Sequence, residues 1–132
     1  MLISASLLSI VCIAVGAAYG DLLVSLLVGL PAAVVPLLIH HLAPGALVTR
    51  LACASAFIVL AALLIQLTGG LIEAHFAIFV MLAFLLYYRD WRPIVMAAGV
   101  IAVHHLAFNF MQAAGVGVFV FADGANLLMV FV

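Results

Sequence analysis

The segment ALVTRLACASAFIVLAALLIQL, residues 46–67, decides the fold. It carries a single charge, Arg50, near its start, and it is apolar on every side thereafter. A helix crosses the hydrocarbon core of a bilayer in about 20 residues. The strands of a membrane barrel instead alternate apolar and polar residues with a period of two, and this segment does not. It therefore predicts a membrane-spanning α-helix.

The composition extends this interpretation to the whole chain. Of its 132 residues, 72% are hydrophobic and 5% are charged, whereas a soluble domain carries about 25% charged residues. The chain has three arginines and no lysine, which excludes a partner bound through nucleic-acid phosphates and a polybasic helix at a membrane surface. Cys12 and Cys53 both lie in apolar runs and are predicted to be packing thiols. The partner that the composition indicates is the lipid bilayer.

Glycine, proline and short polar stretches divide the chain into spans. The predicted spans are 2–18, 22–39, 46–67, 71–88 and 93–113, followed by a partial sixth segment at 115–132. Because Ala122-Asp123-Gly124-Ala125-Asn126 interrupts this last segment, we expect a re-entrant or extended piece and then the start of a sixth span. The predicted fold is an all-α integral membrane protein, a single helical bundle of five complete transmembrane helices plus a partial or short sixth.

The arginines predict the orientation of the bundle. Arg50 flanks the loop between spans two and three, and Arg89 and Arg92 lie in the loop between spans four and five. These loops share one side of the membrane, and loops rich in arginine stay in the cytoplasm. The N-terminus is therefore predicted to be cytoplasmic.

Three histidines are predicted to lie at matched depth in the outer half of the membrane. Polar side chains inside spans are costly and mark functional sites. His75 is about 7 Å from the outer end of span four, and His104 and His105 are about 13 Å from the outer end of span five, at a rise of about 1.5 Å per residue. Because the two spans are antiparallel neighbours, the histidines are expected to come together.

Two amides continue the polar face of His105. At about 100° per residue, Asn109 lies roughly 40° and Gln112 about 20° from the direction of His105. Such amides orient metal-bound imidazoles or hold a bound water molecule. Asn109 and Gln112 are therefore candidate cofactor-binding residues beside His75, His104 and His105. Gln66, near the outer end of span three, places a further amide at the same level.

The histidines favour a bound metal over catalysis. The chain has no Gly-rich phosphate loop, no Cys-x-x-Cys motif and no nucleophile paired with a base, so we expect no enzyme. Imidazole at depth suits heme iron, copper or zinc. Heme b is the first choice and copper is the second. Heme is favoured by the aromatic and small residues that we expect around the histidines, namely Phe76, Phe79, Ala107 and Phe108. An alternative is that the histidines only join helices by hydrogen bonds.

Three segments resemble a known family. Ile72-Glu73-Ala74-His75-Phe76, Tyr88-Arg89-Asp90-Trp91-Arg92-Pro93 and His104-His105-Leu106-Ala107-Phe108-Asn109 are similar to the N-terminal multi-span region of bacterial methyl-accepting chemotaxis proteins and related membrane signalling proteins. The resemblance implies a membrane-embedded sensory input module in the bacterial inner membrane. It also implies homo-oligomers and a cytoplasmic signalling domain that would lie outside this chain.

The sequence thus supports three hypotheses of function. The first is a sensory input module of chemoreceptor type that binds heme b or copper through His75, His104 and His105. The second is a small b-type cytochrome that transfers electrons with the same ligands. The third is a structural membrane subunit that has no cofactor.

Overall fold

A computed structural model describes residues 1–130, with side chains to Leu128. The last two residues of the predicted partial sixth segment, 131–132, lie outside the described residues. Within the described residues the chain is all-helical and has no strand, which confirms the predicted class. The helices are α1 (Leu2–Tyr19), α2 (Leu22–Leu42), α3 (Leu47–Leu67), α4 (Ile72–Leu85), α5 (Trp91–Ala113) and α6 (Leu127–Val130), and a 3₁₀ turn, Leu86–Tyr88, follows α4.

The described helices include four that are long and apolar enough to cross a membrane, namely α1, α2, α3 and α5. Helix α4 is shorter: its 14 residues cover about 21 Å at 1.5 Å per residue, against a hydrocarbon core of about 30 Å. Five complete spans are therefore not confirmed. Residues 114–126 have no regular secondary structure, and α6 begins only at Leu127.

Helix α3 is the centre of the bundle. It packs against α1, α2, α4 and α5, and its Phe57, Ile58 and Leu60 are fully buried. Helices α4 and α5 both lie against α3 but make few contacts with each other. This arrangement leaves a gap between α4 and α5 that shapes the site described below.

Small residues bring α1 and α2 close together. The hydroxyl of Ser9 donates a hydrogen bond of 2.7 Å to the carbonyl oxygen of Gly29. A Cβ atom added to Gly16 would lie 2.5 Å from the Cβ atom of Ser25, so this crossing has no room for a methyl group. Small side chains at helix crossings are typical of membrane bundles, because close packing replaces the hydrophobic effect there.

The outer surface of the bundle is apolar. Ile3, Leu23 and Phe79 are 77%, 70% and 68% exposed, and each lies on a different helix. In water such a surface would cause aggregation, whereas lipid tails cover it without cost. The exposed apolar side chains agree with the membrane location predicted from composition.

Asp90 organises the end of the bundle where α3 and α5 begin. Its carboxylate accepts a hydrogen bond from the backbone N–H of Arg92 and so caps α5. The same carboxylate pairs with the guanidinium groups of Arg92 and Arg50, at 3.0 and 2.8 Å. Because of this cap, α5 begins at Trp91, two residues before the predicted start at Pro93.

Candidate ligand site between α4 and α5

His75 on α4 and His105 on α5 lie beside each other, as their matched depth predicted. Their ring centroids are 5.4 Å apart, and the rings meet edge to face. His104 lies next to His105, with 5.6 Å between the centroids, but its ring packs closely on Phe108 at 4.0 Å. The structure thus brings all three histidines into one cluster, with His75 and His105 as its facing pair.

Backbone hydrogen bonds define the tautomers of the facing pair. Nδ1 of His75 lies 2.9 Å from the carbonyl oxygen of Leu71, and Nδ1 of His105 lies 3.0 Å from that of Ile101. A carbonyl oxygen only accepts, so Nδ1 carries the hydrogen in a neutral ring and Nε2 keeps a free lone pair. Nε2 of His75 is buried and has no hydrogen-bond partner among the described residues.

His104 has a different environment. Its Nε2 is also buried without a hydrogen-bond partner in the described part of the chain. However, His104 does not line the cavity that His75 and His105 share. The structure therefore separates His104 from the other two candidate ligands.

A cavity of about 560 Å³ lies between α4 and α5. It has three walls, and its volume is typical of a small-molecule or cofactor site. The lining residues are Ile72, His75, Ile78, Phe79 and Leu82 from α4, Ile101, Ala102 and His105 from α5, and residues 121–126. The two histidines are therefore the basic groups of a mostly apolar chamber.

The third wall belongs to a segment that we name the strap, residues 117–126. The strap has no helix or strand, and three side-chain amides bind its backbone. Gln112 donates to the carbonyl oxygen of Phe121 at 2.7 Å, and its Oε1 accepts from the N–H groups of Val120 and Phe121. Oε1 of Gln66 accepts from the N–H of Phe119 at 2.7 Å, and Gln66 Nε2 donates to the carbonyl oxygen of Gly117.

Asn109 binds the far end of the strap. Its Oδ1 accepts a hydrogen bond of 2.7 Å from the N–H of Asn126. Asn109 and Gln112 were predicted to bind the cofactor, but their hydrogen bonds in the structure go to the strap backbone. The physical reason is that non-helical backbone leaves N–H and C=O groups without partners in a helix or sheet, and these side-chain amides supply the partners.

Phe121 connects the strap to the histidines. Its ring stacks on His75 with 5.9 Å between centroids and only 4° between planes, and it meets His105 edge to face at 6.1 Å. Phe121 and Val120 are the buried side chains of the strap. The aromatic residues expected around the histidines were Phe76, Phe79 and Phe108, whereas the one that stacks on His75 is Phe121.

A glycine turn after α3 packs closely against the backbone of the strap. Helix α3 ends at Leu67, and Gly69 and Gly70 follow with φ of 66° and 81°. A Cβ atom added to Gly70 would lie 2.6 Å from the carbonyl carbon of Phe121, whereas one added to Gly69 would meet nothing within 4 Å. Only a glycine at position 70 lets the strap backbone come this close.

The metal predictions gain no support from the cluster. Among the described residues, no group of three or more His, Cys, Asp or Glu side chains could hold a metal ion. The three-histidine metal site is therefore not supported, and heme b and copper stay predictions.

Comparison with known proteins gives one partial match. The chain is 38% identical over 50 residues to the transducer protein Htr8 of Halobacterium salinarum, and the match covers 38% of this chain and 8% of that protein. The chain thus spans less than a tenth of the length of this curated relative. No family model matches, and no solved structure matches.

The match and the structure agree on a broad class. The described helices include four that are long and apolar enough to cross a membrane, and the partial match is to a transducer protein. The resemblance to chemoreceptor input regions agrees with this class.

Proposed function

We propose that this chain is a membrane-embedded sensory input module and that the cavity between α4 and α5 is its ligand site. The partial similarity to a transducer protein supports the signalling role. The cavity supports the sensory role, because it places two imidazoles in an apolar chamber large enough for a small ligand.

The observation that carries this proposal is the state of the two imidazoles. Both Nδ1 atoms are engaged by backbone carbonyl oxygens, which leaves the Nε2 lone pairs of His75 and His105 for a ligand. Proteins orient metal-bound histidines by such a hydrogen bond from the other ring nitrogen. A buried lone pair without a partner costs free energy, and a bound ligand would remove that cost.

The two rings would hold the cofactor through their Nε2 atoms. Their centroids are 5.4 Å apart, so both imidazoles border the same space. Neutral imidazole nitrogens suit copper or heme iron, and His75 and His105 would be the ligands of either group.

Absorption spectra and elemental analysis test the proposal. The full chain is expressed in membranes with heme and copper available, and the purified protein is measured with and without reductant. A heme gives a Soret band, and copper appears in stoichiometric amount by elemental analysis. His75→Ala and His105→Ala are each expected to remove most of the bound cofactor.

His40→Ala is the matched control. His40 lies near the end of α2, at the opposite end of the bundle, where it lines a separate cavity. Its replacement is expected to leave the cofactor content unchanged. Full cofactor retention in both the His75→Ala and His105→Ala proteins would contradict the proposed site.

A structural subunit without a cofactor is the second candidate. It is favoured by the stacking of Phe121 on His75 and by the lack of a three-residue metal group among the described residues. On this hypothesis the histidines only join α4, α5 and the strap. A featureless spectrum and no bound metal in folded wild-type protein would support this candidate and contradict the first.

A further inference from the structure

The strap is bound to the helices mainly by side-chain hydrogen bonds, which break more easily than the backbone hydrogen bonds of a helix or sheet. It forms no ladder with another strand in the described residues, and its backbone is bound by the side chains of Gln66, Gln112 and Asn109. Of its side chains, only those of Val120 and Phe121 are buried. A segment with few buried side chains and side-chain hydrogen bonds to its backbone opens at a lower free energy than the helices around it.

Gln112 is the main latch. One carboxamide makes three hydrogen bonds to two consecutive strap residues, at 2.7, 2.9 and 3.3 Å. It thereby mimics the edge of a neighbouring strand at Val120 and Phe121. These are the two residues that anchor the strap in the bundle, so loss of the Gln112 side chain releases both anchors together.

Phe121 links the hydrogen bonds of Gln112 to the contents of the cavity. Its ring covers His75 and borders the cavity, while its backbone is bound by Gln112 and rests against Gly70. Phe121 lines the cavity together with His75 and His105. A ligand bound to the Nε2 atoms of the two histidines therefore contacts Phe121 and acts on the backbone attached to it.

The other end of the strap leads to the next helix. Asn126 donates its N–H to Asn109, and its Oδ1 accepts a hydrogen bond of 3.0 Å from the N–H of Leu128 in the first turn of α6. Asn is a preferred residue at this capping position. Movement of the strap therefore changes the cap of α6.

We infer that the strap is the moving wall of the ligand site and that it transmits the occupancy of the site to α6, with Gln112 as the positioning residue that latches it. This inference deepens the proposed function and rests on it for the meaning of occupancy. The strap movement itself needs no ligand to be measured, so its test is separate from the cofactor experiment.

The test compares two glycine variants by chemical modification of histidine. Gly70→Ala and Gly69→Ala place alanine at similar left-handed φ, but only the first puts a methyl group against the strap backbone. The full-length proteins in liposomes react with diethyl pyrocarbonate, and mass spectrometry gives the rate at each histidine. His75 and His105 are expected to react roughly tenfold faster in Gly70→Ala than in Gly69→Ala, equivalent to a shift of about 1.4 kcal/mol in opening.

A second variant keeps the test valid if Gly70→Ala does not fold. Gln112→Leu keeps the approximate size of the side chain and removes its three hydrogen bonds, so it is expected to raise the same two rates. His40 is the internal control, because it lies at the opposite end of the bundle. If the rates at His75 and His105 equal those of wild type in every folded variant, the inference that the strap moves is wrong.

Hydrogen exchange tests the coupling to α6. The amide of Leu128 is bound by the capping side chain of Asn126, so it is expected to exchange faster in the variants that open the strap. Faster modification of the histidines with unchanged exchange at Leu128 would overturn the transmission to α6. A missing cofactor in wild type with both strap effects present would instead contradict only the proposed ligand.

Discussion

Arg50 and Asp90 are joined by an ion pair of 2.8 Å across forty residues of sequence. The Asp90 side chain is only 8% exposed, and it also binds the guanidinium and the backbone N–H of Arg92. One carboxylate therefore ties the start of α3 to the start of α5 and caps α5. The far ends of the same two helices carry Gln66, Gln112 and Asn109, which bind the strap. Asp90 therefore fixes the two strap-binding helices to each other at the end away from the strap.

Asp90→Asn is expected to lower thermal stability in detergent. The amide keeps an oxygen that accepts the capping hydrogen bond of α5, but it removes the negative charge, so Arg50 and Arg92 lose their ion-pair partner. Asp123→Asn is the matched control, because Asp123 is exposed and makes no ion pair within the described residues. The melting temperature should fall more for Asp90→Asn than for Asp123→Asn, and equal melting temperatures would contradict this role.

Ionisation of Asp90 is expected to make the stability of the fold depend on pH in the acidic range. The hydrogen bond from Arg92 is the main cause that holds the pKa of Asp90 below its ordinary value. A lowered pKa in the folded protein means that the ionised form stabilises the fold above the unfolded pKa of about 3.9. This stability is lost as the pH falls through the folded pKa. Melting temperatures measured from pH 6 downward should show a fall below about pH 4 that is smaller in Asp90→Asn, and identical profiles would contradict it.

Much of the fold follows from the sequence. The apolar runs and the glycine and proline residues between them predicted the helices to within about three residues at most ends, because a bilayer admits few alternatives. The approach of His75 and His105 also followed, since antiparallel neighbours of known rise place residues at calculable depth. Helix α4 is shorter than predicted because its last residues form a 3₁₀ turn that ends at Arg89, whose φ is 51°.

The role of the amides was not predicted. Helical angles placed Asn109 and Gln112 beside His105, but an angle does not identify the partner of a side chain. Their partners are backbone groups of the strap, whose position depends on the glycine turn at Gly70. The sequence did contain an indication of this role. Non-helical backbone after α5 is indicated by three glycines, Gly115, Gly117 and Gly124, and such backbone near a membrane needs polar side chains to bind it.

Gly16→Ala is expected to destabilise the bundle by about 1–3 kcal/mol, the usual cost of an added methyl group in a packed interior. The new Cβ atom would meet the Cβ and Oγ atoms of Ser25 at the crossing of α1 and α2. Gly99→Ala is the matched control, because Gly99 lies within α5 and its Cβ atom would meet nothing within 4 Å. There the change should stabilise the helix by about 0.5–1 kcal/mol. Unfolding in denaturing detergent measures both, and a neutral Gly16→Ala would contradict the close packing.

The orientation of the bundle can be measured by cysteine labelling from outside intact cells. The three arginines predict a cytoplasmic loop between α2 and α3 and an external loop between α1 and α2. In a background where Cys12 and Cys53 are replaced by alanine, Asp21→Cys should react with an impermeant maleimide. Pro44→Cys should react only after the membrane is permeabilised, and both positions are exposed in the structure, so lack of access from outside would reflect the membrane alone. The reverse pattern would place the N-terminus outside and the cavity of His75 in the inner half of the membrane.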